Sequence, residues 1–286
     1  MFRLNFASII VTAATSLNGC LSLSSSASVS RDFTVNKDVV YTPGNWPARL
    51  VADIYKPVSG KPTPAVLLIH GGGWNKEERR SDMTGIARDL AQRGYFVMNA
   101  TYRLTPKWKY PAPVNDLHEA IRYMRRNSAT LNIDSARVAT FGYSAGGHLS
   151  ALVGLHPVSA ETEVQAIIAG GAPADLSLWP DGKLVKLFVG GPFQEIPATY
   201  REASPVTYVN KNSPPVFIYH GTDDDLVPVA HPKVFIAALE KQGVDHQVYW
   251  VEGRSHILTH LFSAKAIPKA IDFLDRKLDH NPESSP

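Results

Sequence analysis

The chain has 286 residues, 44% hydrophobic and 19% charged, enough apolar material for a sizeable core and too little charge for a compositionally disordered polypeptide. Its 29 Lys and Arg against 26 Asp and Glu leave a formal charge of only +3, which excludes the strongly basic balance of a nucleic-acid binder. No low-complexity run or periodic repeat is visible, so fibres and solenoids are excluded, and a single cysteine, Cys20, excludes an internal disulfide or a Cys-rich metal site.

Residues 1–19, MFRLNFASIIVTAATSLNG, carry one early Arg and then an apolar stretch from Phe6 to Leu17 that is too short to span a bilayer. That is the shape of an export signal. Leu17-Asn18-Gly19-Cys20 resembles a bacterial lipoprotein processing box, which implies cleavage before Cys20 and lipidation of that cysteine. A plain secretory signal is the alternative. Residues 20–34 begin with the Ser-rich stretch CLSLSSSASVS and read as a flexible lipidated tether. Leu21 after the cysteine points, within this resemblance, to the outer membrane of a bacterial envelope. A secreted or periplasmic location goes with the alternative.

From residue 35 to 278 strands and helices alternate. Val39–Tyr41 and Leu50–Tyr55, separated by PGNWPA, read as two antiparallel strands. Ala65–Ile69 is a continuous apolar run, as expected of a strand buried on both faces. Further strands are expected at 95–100, 137–141, 164–169, 216–219 and 246–251, and amphipathic helices at 83–93, 114–126, 146–155, 232–242 and 264–278. This is an α/β fold with a mostly parallel sheet flanked by helices, and its chemistry belongs on loops at the carboxyl ends of the strands. Residues 174–212 break the rhythm and are expected to form a small lid, while residues 279–286 read as a flexible tail.

Three strand ends carry chemistry. Gly142-Tyr143-Ser144-Ala145-Gly146-Gly147 follows the strand RVATF and opens a helix, which is the setting of a nucleophile elbow presenting the Ser144 hydroxyl. His70-Gly71-Gly72-Gly73-Trp74 follows AVLLI. Consecutive glycines bring bare backbone N–H groups close to a reacting carbonyl, so Gly72, Gly73 and Ala145 are assigned to an oxyanion hole. His220-Gly221-Thr222-Asp223-Asp224-Asp225 follows VFIY, and His256 follows QVYWV. A serine needs a base, and the base needs a carboxylate to hold its tautomer. The order serine, acid, histidine makes His256 the base.

With these motifs the chain resembles the α/β-hydrolase superfamily of serine esterases, from residue 38 to 278. Within it, the chain is similar to small carboxylesterases with an HGGGW loop: the hormone-sensitive-lipase group, bacterial feruloyl and acetyl-xylan esterases, and kynurenine formamidases. Tyr102-Arg103-Leu104-Thr105-Pro106, Tyr110-Pro111 and Asp116 also match the resemblance. It implies that Asp224, fifth in the HG-x-x-D pattern, is the catalytic acid, although Asp223 and Asp225 flank it. The implied activity is hydrolysis of short-chain or small aromatic acyl esters through an acyl-enzyme, without a cofactor. Amide hydrolysis by the same residues, formamidase-like or exopeptidase-like, and a non-catalytic lipid-anchored binding role are the alternatives. Trp74 and Trp179 are candidates for the substrate pocket. His70 and His220 are expected to brace loops, His118, His148 and His156 to pack, and Arg103 to pair with Asp116. No metal-ligand spacing is present. The partners expected are a small-molecule ester and, through Cys20, a membrane.

Overall fold

A computed structural model describes residues 31–75, 78–261 and 265–281. The expected leader, the Cys20 lipidation site and most of the tether lie outside the described residues.

Eight strands form one sheet: β1 (Phe33–Val40), β2 (Val51–Pro57), β3 (Thr63–Ile69), β4 (Phe96–Ala100), β5 (Ile133–Tyr143), β6 (Ala166–Gly170), β7 (Val216–Gly221) and β8 (His246–Val251). Their spatial order is β1-β2-β4-β3-β5-β6-β7-β8. β2 alone runs against its neighbours, and every pair from β4 to β8 is parallel. The apolar run of β3 is buried at all seven positions because helices cover both faces.

The helices are α1 (Thr84–Arg93), α2 (Ala112–Arg126), α3 (Ser128–Leu131), α4 (Ala145–Leu155), α5 (Lys183–Val189), α6 (Pro197–Glu202), α7 (Ala230–Gln242), α8 (His256–Leu261) and α9 (Ala266–Lys277). On one face Leu117 of α2, Leu149 of α4 and Phe235 of α7 pack with Ile69 and Ile167 of the sheet. On the other, Leu90 of α1 and Phe273 of α9 pack with Leu68 and Phe217. Each buried Leu, Ile or Phe contributes about 1.5–3 kcal/mol relative to leaving it exposed, and these two cores clamp the sheet whose strand ends carry the site.

Two boundaries differ from the sequence reading. The ordered domain begins before residue 35: the Arg31 N–H donates to the Gln92 carbonyl at 2.9 Å, and β1 pairs from Phe33 with Pro57. β1 is an edge strand with mostly exposed polar side chains, so it lacks the apolar alternation that marks a strand in sequence. At the other end, Asp279 and His280 are held rather than frayed, with the His280 ring 4.7 Å from Tyr95 and its Nε2 donating to the Arg93 carbonyl at 2.9 Å.

The 174–212 segment holds α5 and α6 and is docked into the core. Leu176, Val185, Phe188 and Tyr200 are all buried. Its apolar side chains fill one face of the main core.

Candidate active site

β5 ends at Tyr143 and α4 starts at Ala145, so Ser144 must turn the chain in one residue. It does so at φ 58°, ψ −125°, a left-handed corner that a non-glycine residue holds only when its surroundings enforce it. The enforcement is close packing. A Cβ on Gly142 would lie 2.1 Å from the Gly146 carbonyl oxygen, and one on Gly146 would lie 2.1 Å from the Ile69 oxygen. The Ser144 N–H donates to the Gly170 carbonyl at 2.8 Å, tying the corner to the next strand.

Beside this corner runs the loop after β3. Gly71 passes so near that a Cβ there would meet the Tyr143 carbonyl oxygen at 3.0 Å and the Ser144 Cβ at 3.3 Å. Gly72 and Gly73 follow at φ 103° and 63°, conformations that glycine adopts without cost. Ala145 opens α4, where the first N–H groups have no intrahelical acceptor and the dipole end is positive. The three expected oxyanion donors are therefore brought to two chain segments that touch at Ser144.

Trp74 also has a left-handed φ, 57°, and its ring turns inward. It is only 2% exposed, stacks on Phe188 at 4.7 Å and donates from Nε1 to His148 Nδ1 at 3.2 Å. The sequence reading offered Trp74 as a pocket wall. The structure instead makes it the peg that holds the glycine loop, since almost no ring surface is left for a ligand. His148 passes the restraint on by donating from Nε2 to the Ala203 carbonyl at 2.7 Å. Burial pushes its pKa down to about 4, so it stays neutral in this chain of bonds. Trp179 is half-buried and meets His231 edge-on at 4.4 Å.

The loops after β7 and β8 bring Asp224 and His256 together. His256 Nδ1 lies 2.7 Å from Asp224 Oδ2, and both residues are buried. Asp224 Oδ1 accepts from the Val227 N–H at 2.7 Å and the Leu226 N–H at 3.1 Å, which fixes the carboxylate plane. Of the three consecutive acids only Asp224 points inward; Asp223 and Asp225 are exposed. His220 braces this loop by donating from Nε2 to the Val227 carbonyl at 2.8 Å, and the same nitrogen lies 3.3 Å from Asp224 Oδ2. Burial lowers the pKa of His220, so it acts as a neutral donor.

Sequence reasoning missed Tyr143. Its hydroxyl donates to the His256 carbonyl at 2.7 Å, and its ring lies 5.0 Å from His256 and stacks on His260 at 4.9 Å. The only signal was an aromatic residue in the variable position of G-x-S-x-G. Farther out, Arg103 is locked to Asp116, with Nε 2.8 Å from Oδ1. Trp46 donates to the same carboxylate at 2.7 Å. A cavity of about 310 Å³ beside α2 is lined by Trp46, Arg103, His118 and Arg122. It contains none of Ser144, Asp224 and His256. Among the described residues no cluster of His, Cys, Asp and Glu could hold a metal ion, and no helix is long and apolar enough to cross a membrane.

The BD-FAE family model matches residues 52–239. The chain is 29% identical over 264 residues to esterase LipC of Mycobacterium tuberculosis, covering 84% of this chain and 64% of the relative. It is also 29% identical over 225 residues to the probable carboxylic ester hydrolase LipM of the same organism, covering 73% of this chain and 52% of that one. The chain thus spans between about half and two-thirds of the length of these curated relatives. Among solved structures, a thermophilic esterase from Thermogutta terrifontis superposes with a TM-score of 0.71 at 26% identity, over 85% of this chain and 92% of that one. The same esterase is known with propionate bound and phosphorylated by paraoxon. A truncated carbohydrate esterase from gut microbiota has a TM-score of 0.78 over 88% of this chain and 99% of that one, but at 23% identity it speaks for the fold alone.

Proposed function

Because the chain belongs to the BD-FAE family and has the α/β-hydrolase fold, we propose that it is a serine hydrolase of carboxylic esters acting through Ser144, His256 and Asp224. The observation that carries this reading is the 2.7 Å contact of His256 Nδ1 with the buried Asp224 carboxylate, set beside a serine held at a left-handed corner. Asp224 keeps the proton of His256 on Nδ1 and leaves Nε2 as the base. Ser144 loses its proton to Nε2 as Oγ attacks the ester carbonyl. The oxygen of the tetrahedral intermediate takes hydrogen bonds from the N–H groups of Gly72, Gly73 and Ala145, where one donor is worth about 2.7–4 kcal/mol. The C–O bond to the alcohol then breaks, and the alcohol leaves with the proton from Nε2. Water repeats the sequence on the acyl-enzyme.

Short or small aromatic acyl groups fit this site best. Leu184 of α5 comes so close to the glycine loop that a Cβ on Gly73 would lie 2.8 Å from it, leaving limited room beside the oxyanion donors. The propionate complex of the Thermogutta esterase supports the same size of acyl group. Ser144→Ala is expected to abolish hydrolysis of p-nitrophenyl acetate and labelling by a phosphonate ester. Burst kinetics retained in that variant would refute the assignment. A panel of esters, N-formyl amides and aminoacyl amides should show ester preference, and faster amide turnover would make the enzyme an amidase instead.

The reading includes a lipid at Cys20 and attachment to a bacterial envelope membrane. The chain enters the domain at Phe33, which pairs with Pro57 at the end of the sheet opposite Ser144. Palmitate labelling that persists in Cys20→Ala would refute the anchor.

A further inference from the structure

Six of the ten large apolar side chains that are exposed among the described residues, Leu178, Leu184, Leu226, Ile257, Leu258 and Leu261, belong to the inserted segment, the Asp224 loop and the helix that His256 opens. Isolated exposed apolar residues need no explanation, but a group of them on one functional edge does. They lie on two sides. Leu184 touches the glycine loop, and Leu178 lies in the same inserted segment. Leu226 is 54% exposed while its own N–H is bound to Asp224 Oδ1. Ile257 and Leu261, both 64% exposed, stand one turn apart on α8, the helix that His256 itself opens.

The proton path tells the two sides apart. His256 Nδ1 is engaged by Asp224, so the leaving oxygen must come to Nε2 to be protonated. The alcohol therefore departs past the histidine side, where Leu226, whose N–H is held by Asp224, and Ile257 and Leu261, on the helix that His256 opens, are exposed. The carbonyl oxygen turns the other way, toward the N–H groups of the glycine loop that Leu184 touches. We infer that Leu226, Ile257 and Leu261 form an open apolar shelf for the leaving group, which makes the enzyme select esters of apolar alkyl or aryl alcohols over esters of sugars. The inference rests on the triad proposed above and adds the identity of the alcohol. A sugar laid on this shelf would give up water from its hydroxyls with no hydrogen-bonding partner among the three side chains. Asp223 and Asp225, exposed on the same loop, further disfavour an alcohol that bears a carboxylate.

The test compares kcat/KM for acetate esters from methyl to hexyl acetate, and for acetylated xylobiose, in the wild type and in the double variant Ile257→Ser/Leu261→Ser. A methylene covered on one side is worth about twofold, so the wild type should favour hexyl over methyl acetate by about 30-fold. The double variant should compress that ratio to below about fivefold. Both side chains are exposed, so its melting curve should match the wild type. A flat alkyl series in the wild type, an unchanged ratio in the double variant, or a preference for acetylated xylobiose would overturn the shelf. If phosphonate still labels Ser144 in any of these cases, the hydrolase reading survives. Absence of both labelling and acetate turnover would overturn the hydrolase reading and the shelf with it.

Discussion

Replacing Asp224 with Asn separates the three consecutive acids in one experiment. Asp224 Oδ1 accepts two backbone N–H groups, at 2.7 and 3.1 Å, so an asparagine must keep its oxygen there and cannot flip. Its NH₂ is then forced into the place of Oδ2, facing His256 Nδ1 at 2.7 Å and His220 Nε2 at 3.3 Å. A donor at that position drives the His256 proton to Nε2, the tautomer that cannot take a proton from Ser144. The wrong tautomer costs about 10⁴ in kcat in serine hydrolases, or about 5.5 kcal/mol at roughly 1.36 kcal/mol per tenfold. Asp223→Asn and Asp225→Asn change only exposed carboxylates and should stay within about twofold of wild type. Steady-state hydrolysis of p-nitrophenyl acetate, with active sites counted by phosphonate titration, reads all three variants on one scale. Retention of a tenth of the activity in Asp224→Asn, or a thousandfold loss in either neighbour, would refute the reasoning.

Gly146→Ala places a methyl group 2.1 Å from the Ile69 oxygen and 2.6 Å from the His70 oxygen, both backbone, so the elbow must open. It should yield little folded protein, seen as a lowered melting temperature or an insoluble product, and a wild-type melt would refute the packing argument. Trp74→Phe keeps an aromatic ring against Phe188 but removes the N–H that His148 Nδ1 accepts. An orphaned buried acceptor costs about 1–3 kcal/mol, so chemical denaturation should show that loss together with weaker catalysis from a looser glycine loop. Tyr143→Phe removes the bond to the His256 carbonyl and should lower kcat severalfold, about 1 kcal/mol, with KM nearly unchanged. Burial holds His118, His148 and His231 each down to about 4, while in the unfolded chain they titrate near the ordinary value of 6.5. Below pH 6.5 the unfolded state takes up these protons first, so stability falls from pH 6.5 toward 4. Urea unfolding with the same midpoint at pH 7 and pH 5 would refute the neutral, buried assignment.

The parts legible in the sequence are those where backbone geometry restricts residue choice. An elbow that cannot admit a Cβ at Gly142 or Gly146 writes glycine at those positions, and a loop at φ 103° and 63° writes glycine at Gly72 and Gly73. The all-buried strands β3, β6 and β7 likewise had to be apolar runs. Asp224 was legible only by register, because three adjacent aspartates look alike until one turns inward under two N–H groups. Edge strand β1 was legible only at its Val39 end, and its start at Phe33 was missed because most of its side chains face solvent.

The exposed apolar rim shows a different limit. Ile257 and Leu261 lie in HILTHL, where nothing in their spacing distinguishes a core face from an open one. In the fold, the small buried face of α8 is taken by His256 and Thr259, with His260 stacked on Tyr143, so the aliphatic side chains are left outward. The same helix turn that orients the base therefore forces apolar surface beside it. Catalytic geometry and leaving-group preference are coupled through six residues, and selection for a polar alcohol would have to replace Ile257 or Leu261 without disturbing His256.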